Sequence, residues 1–110
     1  MAKVLCIHQF MLRPGVAEED FERFIKEEWP SAPTLAGTTS HCLKGDRGDR
    51  EGRYIMIFEY DSKETRDRLS PSVTEENEEF QAWRQATAPW FEKVSKLVTE
   101  SIWTDYVVLE

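Results

Sequence analysis

Arg53-Tyr54-Ile55-Met56-Ile57-Phe58-Glu59-Tyr60-Asp61 is the stretch that decides the fold. Its aromatic and β-branched residues, bounded by Gly52 and Ser62, predict a strand. Side chains on a strand alternate between faces, so Tyr54, Met56, Phe58 and Tyr60 share one side and Arg53, Ile55, Ile57 and Glu59 the other. Both sides are largely apolar. Such a strand belongs in the middle of a sheet that is covered on both faces.

Upstream, Val4–Leu12 has the same character. Val4, Cys6, His8, Phe10 and Leu12 fall on one face, and Leu5, Ile7, Gln9 and Met11 on the other. Arg13-Pro14-Gly15 ends that strand. A helical period follows from Val16, with Phe21, Phe24 and Ile25 on its apolar stripe, and Pro30 stops it near Trp29. Thr38–Lys44 is a shorter, more polar strand suited to an edge, and the glycine-rich Lys44–Arg53 segment reads as a hairpin loop.

Downstream, Lys63–Leu69 predicts a short helix halted by Ser70-Pro71. Ser72-Val73-Thr74-Glu75 has capping-box spacing and is expected to open a longer helix, whose stripe runs from Phe80 and Trp83 to Leu97 and Val98. Pro89 should kink that helix or split it. Glu100–Leu109 closes the chain as a strand, with Trp103, Asp105, Val107 and Leu109 on one face and Ile102, Thr104, Tyr106 and Val108 on the other.

The order strand–helix–strand–strand–helix–strand is the split βαβ pattern: an α+β, ferredoxin-like βαββαβ fold with a four-stranded antiparallel sheet. Right-handed crossovers put both helices on one face, with the first and third strands central. Leu5, Ile7, Met11, Ile55, Ile57, Ile102 and Val108 are then left on the bare face, an apolar patch too large for a monomer to leave in water. Burying each such side chain is worth about 1.5–3 kcal/mol. A homodimer, sheet against sheet, is expected.

Composition bounds the function. The 110 residues, 40% of them hydrophobic, suffice for one domain spanning 1–110 and not for two. A net charge of −7 argues against nucleic-acid or anionic-membrane partners. No apolar run approaches a membrane span and the start lacks a signal peptide's pattern, so a cytoplasmic protein is expected. Cys6 and Cys42 suit free thiols in that compartment, although a disulfide is open to them. The acidic runs at Glu18–Asp20 and Glu75–Glu79 read as first turns of helices. His8 and His41 show no metal-ligand spacing, and neither a phosphate-binding loop nor a nucleophile elbow is present, so no cofactor or metal is indicated.

Arg13-Pro14-Gly15-Val16-Ala17-Glu18-Glu19-Asp20-Phe21-Glu22-Arg23-Phe24 resembles the first strand-to-helix passage of EthD-like proteins in the dimeric α+β barrel superfamily. Phe58-Glu59-Tyr60-Asp61-Ser62 resembles the end of the third strand in that branch, in antibiotic-biosynthesis monooxygenases and in the stress-responsive barrel proteins that include plant polyketide cyclases. Thr104-Asp105-Tyr106 resembles the last-strand Asp-Tyr of the cyclase group. The resemblance implies a dimeric barrel acting on, or binding, a small aromatic or polyketide-like molecule.

Three departures limit it. Where EthD-like proteins have a histidine before Ala-Pro, this chain has Trp29-Pro30-Ser31. The cyclase histidine has no counterpart in Ser70–Val73, and the iron-binding histidine of the haem-degrading branch has none in Glu75–Val98.

Polar groups on otherwise apolar strand faces are the candidates for chemistry. His8 shares its face with Cys6 and Phe10, and the cyclase-like register would set Asp105 on one side of it and Tyr54 on the other. An imidazole oriented by an aspartate is a general base near neutral pH, and a tyrosine can donate to a developing enolate. Trp29, Met56, Phe58, Trp83 and Trp90 are the candidate walls of a small-molecule pocket. A second reading gives the same residues a structural role, with His8 hydrogen-bonded inside the core of a non-catalytic binding protein. On the other face, Glu59 is expected to pair with Gln9, Arg53 or a partner chain, and His41 to lie at the surface or a dimer rim.

Overall fold

Val4–Phe10 (β1) and Tyr54–Tyr60 (β3) lie side by side at the centre of the sheet in the computed structural model, which describes residues 2–110. Thr38–Lys44 (β2) flanks β3 and Ile102–Val107 (β4) flanks β1, giving the order β2-β3-β1-β4 with antiparallel pairing throughout. That is the ferredoxin-like order. The two runs that are apolar on both faces are indeed the central strands.

Alternation along β1 and β3 sends Val4, Cys6, Phe10, Tyr54, Met56 and Tyr60 into the core. Over them pack helix α1 (Glu18–Arg23), α2 (Lys63–Leu69) and α3 (Glu78–Leu97). α1 widens into a π-helical turn over Phe24–Glu28 and ends in a 3-10 turn at Trp29–Ser31, where Pro30 falls. Among the described residues no helix is long and apolar enough to cross a membrane.

The start of α3 differs from the sequence expectation. Asn77, not Ser72, is the cap: its side chain accepts the Phe80 N–H at 2.9 Å, and Glu78 and Glu79 fill the acidic first turn. Ser72 instead closes a tight turn, donating to Glu75 Oε1 at 3.1 Å. The Asn77 N–H also reaches the Leu69 carbonyl at 2.8 Å, which ties the new helix to the end of α2. Two cap signals overlap here; asparagine and serine cap about equally well, and Asn77, the one nearer the apolar stripe, is the cap. Nor does Pro89 split the helix, which runs unbroken through it. Cys6 and Cys42 are free thiols rather than a disulfide.

On the opposite face Leu5, Ile7, Ile55 and Ile57 are half-buried, and Met11, Ile102 and Tyr106 are 53%, 76% and 49% exposed. None of the described helices covers it. Glu59 lies on this side paired with Lys3 Nζ at 3.5 Å, not with Gln9 or Arg53 as expected.

Candidate functional site

The helix-covered face has one gap. Along β1, Cys6 and Phe10 are buried while His8 between them is not; along β3, Met56 and Tyr60 are buried while Phe58 is not. The two positions are neighbours, since Cys6 pairs with Phe58 and His8 with Met56 across the strands. They separate the core into a cluster under α2 and the start of α3 and another under α1 and the end of α3.

Two cavities occupy the gap, one of about 280 Å³ and one of about 320 Å³. His8, Phe58, Arg84 and Phe91 line both. Each is near the lower end of the range of small-molecule sites, which run to roughly 300–1,000 Å³.

Aromatic rings meeting edge to face build the walls. Phe91 touches Trp83 at a centroid distance of 5.6 Å and Trp29 at 5.5 Å, and Phe58 approaches Trp83 at 6.2 Å. Polar tips fix the tryptophans: Trp83 donates to the Pro33 carbonyl at 2.9 Å and Trp29 to Ser40 Oγ at 3.2 Å. His8 sits edge-on to Phe58 at 5.5 Å and parallel to Trp103 at 6.4 Å. These rings give the gap a flat, apolar wall.

A line of polar groups crosses the gap. Arg66 Nη1 donates to Asp105 Oδ2 at 2.6 Å, Cys6 Sγ lies 3.3 Å from His8 Nε2, and His8 Nδ1 lies 3.1 Å from Ser101 Oγ. Asp105 is the cross-strand partner of Cys6, which closes the sequence Arg66–Asp105–Cys6–His8–Ser101. Ser101 is held in place because the chain leaving α3 is stitched to the end of β1, with Arg13 N–H on the Leu97 carbonyl at 2.9 Å and Thr99 N–H on the Met11 carbonyl at 2.8 Å.

Burial governs the protonation of this line. It holds the His8 imidazole below its usual value, Arg84 adds to that, and Asp105 opposes it. Burial, with Asp105 second, pushes the Cys6 thiol up to about 12, and the Tyr60 phenol is likewise raised to about 12. Near neutral pH the site holds a neutral imidazole, a thiol and a phenol.

Several sequence-predicted positions differ from their expected arrangement. Asp105 bonds Arg66 and stands beside Cys6, so the thiol and not the carboxylate touches His8. Tyr54 faces away: its hydroxyl donates to Glu22 Oε2 at 2.6 Å in the core cluster under α1, where burial followed by that bond raises it to about 12. Its place two residues from Met56 toward the hairpin pairs it with Phe10, not with His8. Tyr60 is the tyrosine that lines the gap. Trp29 and Met56 line the larger cavity, Trp83 the smaller and Phe58 both, whereas Trp90 lines neither and donates to the Glu28 carbonyl at 3.1 Å.

The sequence reading missed Cys6, Arg84, Phe91 and Trp103 as wall residues. Trp103 and Cys6 share the face of His8, a signal the alternation already carried; Arg84 had none. Among the described residues, no group of three or more metal-ligating side chains comes together.

No family model matches the chain, and no curated protein matches it. Solved structures do. A candidate antibiotic biosynthesis monooxygenase from Bordetella bronchiseptica superposes with a TM-score of 0.54 at 13% identity over 100% of both chains. A dimeric protein of unknown function with a ferredoxin-like fold from Bacteroides fragilis gives 0.48 at 15% identity over 96% of each. An uncharacterized NIPSNAP-like domain protein from Burkholderia xenovorans gives 0.46 at 17% identity over 98% of this chain and 84% of that one. At 13% identity the likeness to the Bordetella protein is one of fold, and it extends from end to end: the chain has a ferredoxin-like α+β fold, the protomer architecture implied by its sequence resemblance to dimeric α+β barrel proteins.

Proposed function

We propose that the protein works as a homodimer, sheet against sheet, and binds a small aromatic or polyketide-like molecule in the gap between β1, β3 and α3. His8 takes a proton from the bound molecule without any cofactor. One observation carries this reading: a neutral imidazole stands at the junction of two aromatic-walled cavities.

The proton-accepting atom is Nδ1. Asp105 is the strongest acceptor beside the Cys6 thiol, so the thiol proton turns to the carboxylate and the His8 Nε2–H turns to sulfur. Nδ1 is left with a lone pair that accepts from the Ser101 hydroxyl until a substrate takes that place.

2-Tetralone, a flat ketone with exchangeable α-protons, tests the chemistry in deuterated buffer. The wild-type protein should accelerate exchange at those carbons over buffer, and His8→Gln should abolish the acceleration. Equal rates for the two proteins would remove His8 from the role of base. A non-catalytic binding protein is the second reading, favoured because both ring nitrogens already have partners within the chain. It predicts saturable binding of 2-tetralone with no exchange.

A further inference from the structure

We infer that the cavity selects a monoanionic guest and that Arg84 is the residue that recognises its acidic group. The inference rests on the proposed binding of an aromatic molecule in this gap and names the charge that molecule carries.

Arg84 lines both cavities, whereas Arg66 reaches the smaller one only through Asp105, and the two arginines are neutralised differently. Arg66 is spent on two carboxylates, with Nη1 on Asp105 at 2.6 Å and Nε on Asp67 at 2.9 Å. Arg84 faces one carboxylate, and only through Nε, whose single N–H is shared between the Glu76 oxygens at 2.8 and 2.6 Å. Its Nη1 and Nη2 donate to no acceptor among the described residues. Four of the five N–H donors of a guanidinium are therefore open to a guest.

The position of Arg84 makes those donors useful. It lines both cavities, together with His8, Phe58 and Phe91, so it overlooks the space a flat guest would fill. The guanidinium is also fixed: Glu76 holds one edge, and the Phe80 ring lies beneath it at 5.0 Å. A carboxylate, which accepts two parallel N–H bonds, matches this fork better than a neutral amide or an ammonium does. An acid bound there would put its aromatic body against Phe58 and Phe91 and its far end near His8. The substrate class is accordingly an aromatic carboxylate or a comparable monoanion.

Binding of 2-naphthoate and of its neutral isostere 2-naphthamide, followed by calorimetry, tests this. The wild type should bind the acid about tenfold or more tightly than the amide, as expected of one charge-assisted pair in a partly exposed site. Arg84→Gln should bring that ratio close to one by weakening naphthoate alone, and Arg84→Lys should restore part of it. Equal wild-type affinities for acid and amide, or a preference that survives in Arg84→Gln, overturn the inference while leaving the aromatic pocket standing. Failure of both probes to bind the wild type overturns the pocket and the inference together. The wild-type comparison needs no variant, so it decides even if a substitution disturbs the fold.

Discussion

Cys6 Sγ stands 3.3 Å from His8 Nε2, two residues along the same face of β1, and Asp105 is the residue paired with Cys6 across β4. With the thiol pushed up to about 12, sulfur keeps its proton and offers lone pairs to the imidazole. His8 should therefore be a neutral Nε2–H tautomer. Nitrogen-15 spectra of the imidazole near neutral pH should show Nε2 protonated and Nδ1 bare. The opposite pattern would place the proton on Nδ1 and take away the basic atom facing Ser101.

The same burial sets a pH dependence. Unfolded, His8 titrates near its ordinary value of about 6.5; folded, it titrates lower. Between those values the unfolded chain binds more protons, so stability rises with pH. The contribution is complete above about 6.5 and is lost as pH falls through the folded value. Glu22 and Asp67 also lose stability in acid, because their bonds to Tyr54 and to Arg66 depress them, but they do so only from the ordinary carboxylate values downward. The melting-temperature gap between wild type and His8→Gln should thus be constant above pH 7 and change in favour of the variant from about pH 6.5 downward. Parallel curves would mean that His8 is not held neutral by the fold.

Strand faces were readable because alternation with period two is a local property. Val4, Cys6 and Phe10 face the helices for the reason the pattern states, and the two doubly apolar strands took the centre of the sheet. The partners of polar side chains were not readable. Asp105 went to Arg66, which comes from α2 and is 39 positions away in sequence, and Tyr54 went to Glu22 on α1. Which helix crosses above a given strand residue depends on crossover lengths and packing, neither of which has a one-dimensional period. Arg84 was hidden for a related reason: it is an ordinary surface residue of α3 except where the helix passes over the gap at His8.

Local signals also compete, as the start of α3 shows. Asn77 accepts the Phe80 N–H, while Ser72 and Glu75, which have capping-box spacing, bond each other in the preceding turn. Asn77→Ala should cost about 0.5–2 kcal/mol in denaturant unfolding. Ser72→Ala, which leaves the helix cap intact, should cost less than Asn77→Ala. The reverse order would move the true helix start back to the serine.

Ile57 lies mid-sheet on the uncovered face, paired with Ile7 on one side and His41 on the other. Around it Leu5 and Ile55 are half-buried, and Met11, Leu43, Ile102 and Tyr106 are exposed. A second copy laid across this face would bury these side chains at about 25 cal/mol per Å² of apolar area, against the entropy lost on association. An ammonium group at the centre of such an interface would have no partner and would have to be desolvated. Ile57→Lys should therefore sediment at 12.9 kDa at micromolar concentration, where the wild type should sediment at twice that mass. The circular dichroism of the variant should be unchanged, because the core lies on the other side of the sheet. A wild-type chain that stays at 12.9 kDa under these conditions would leave the barrel without its second half.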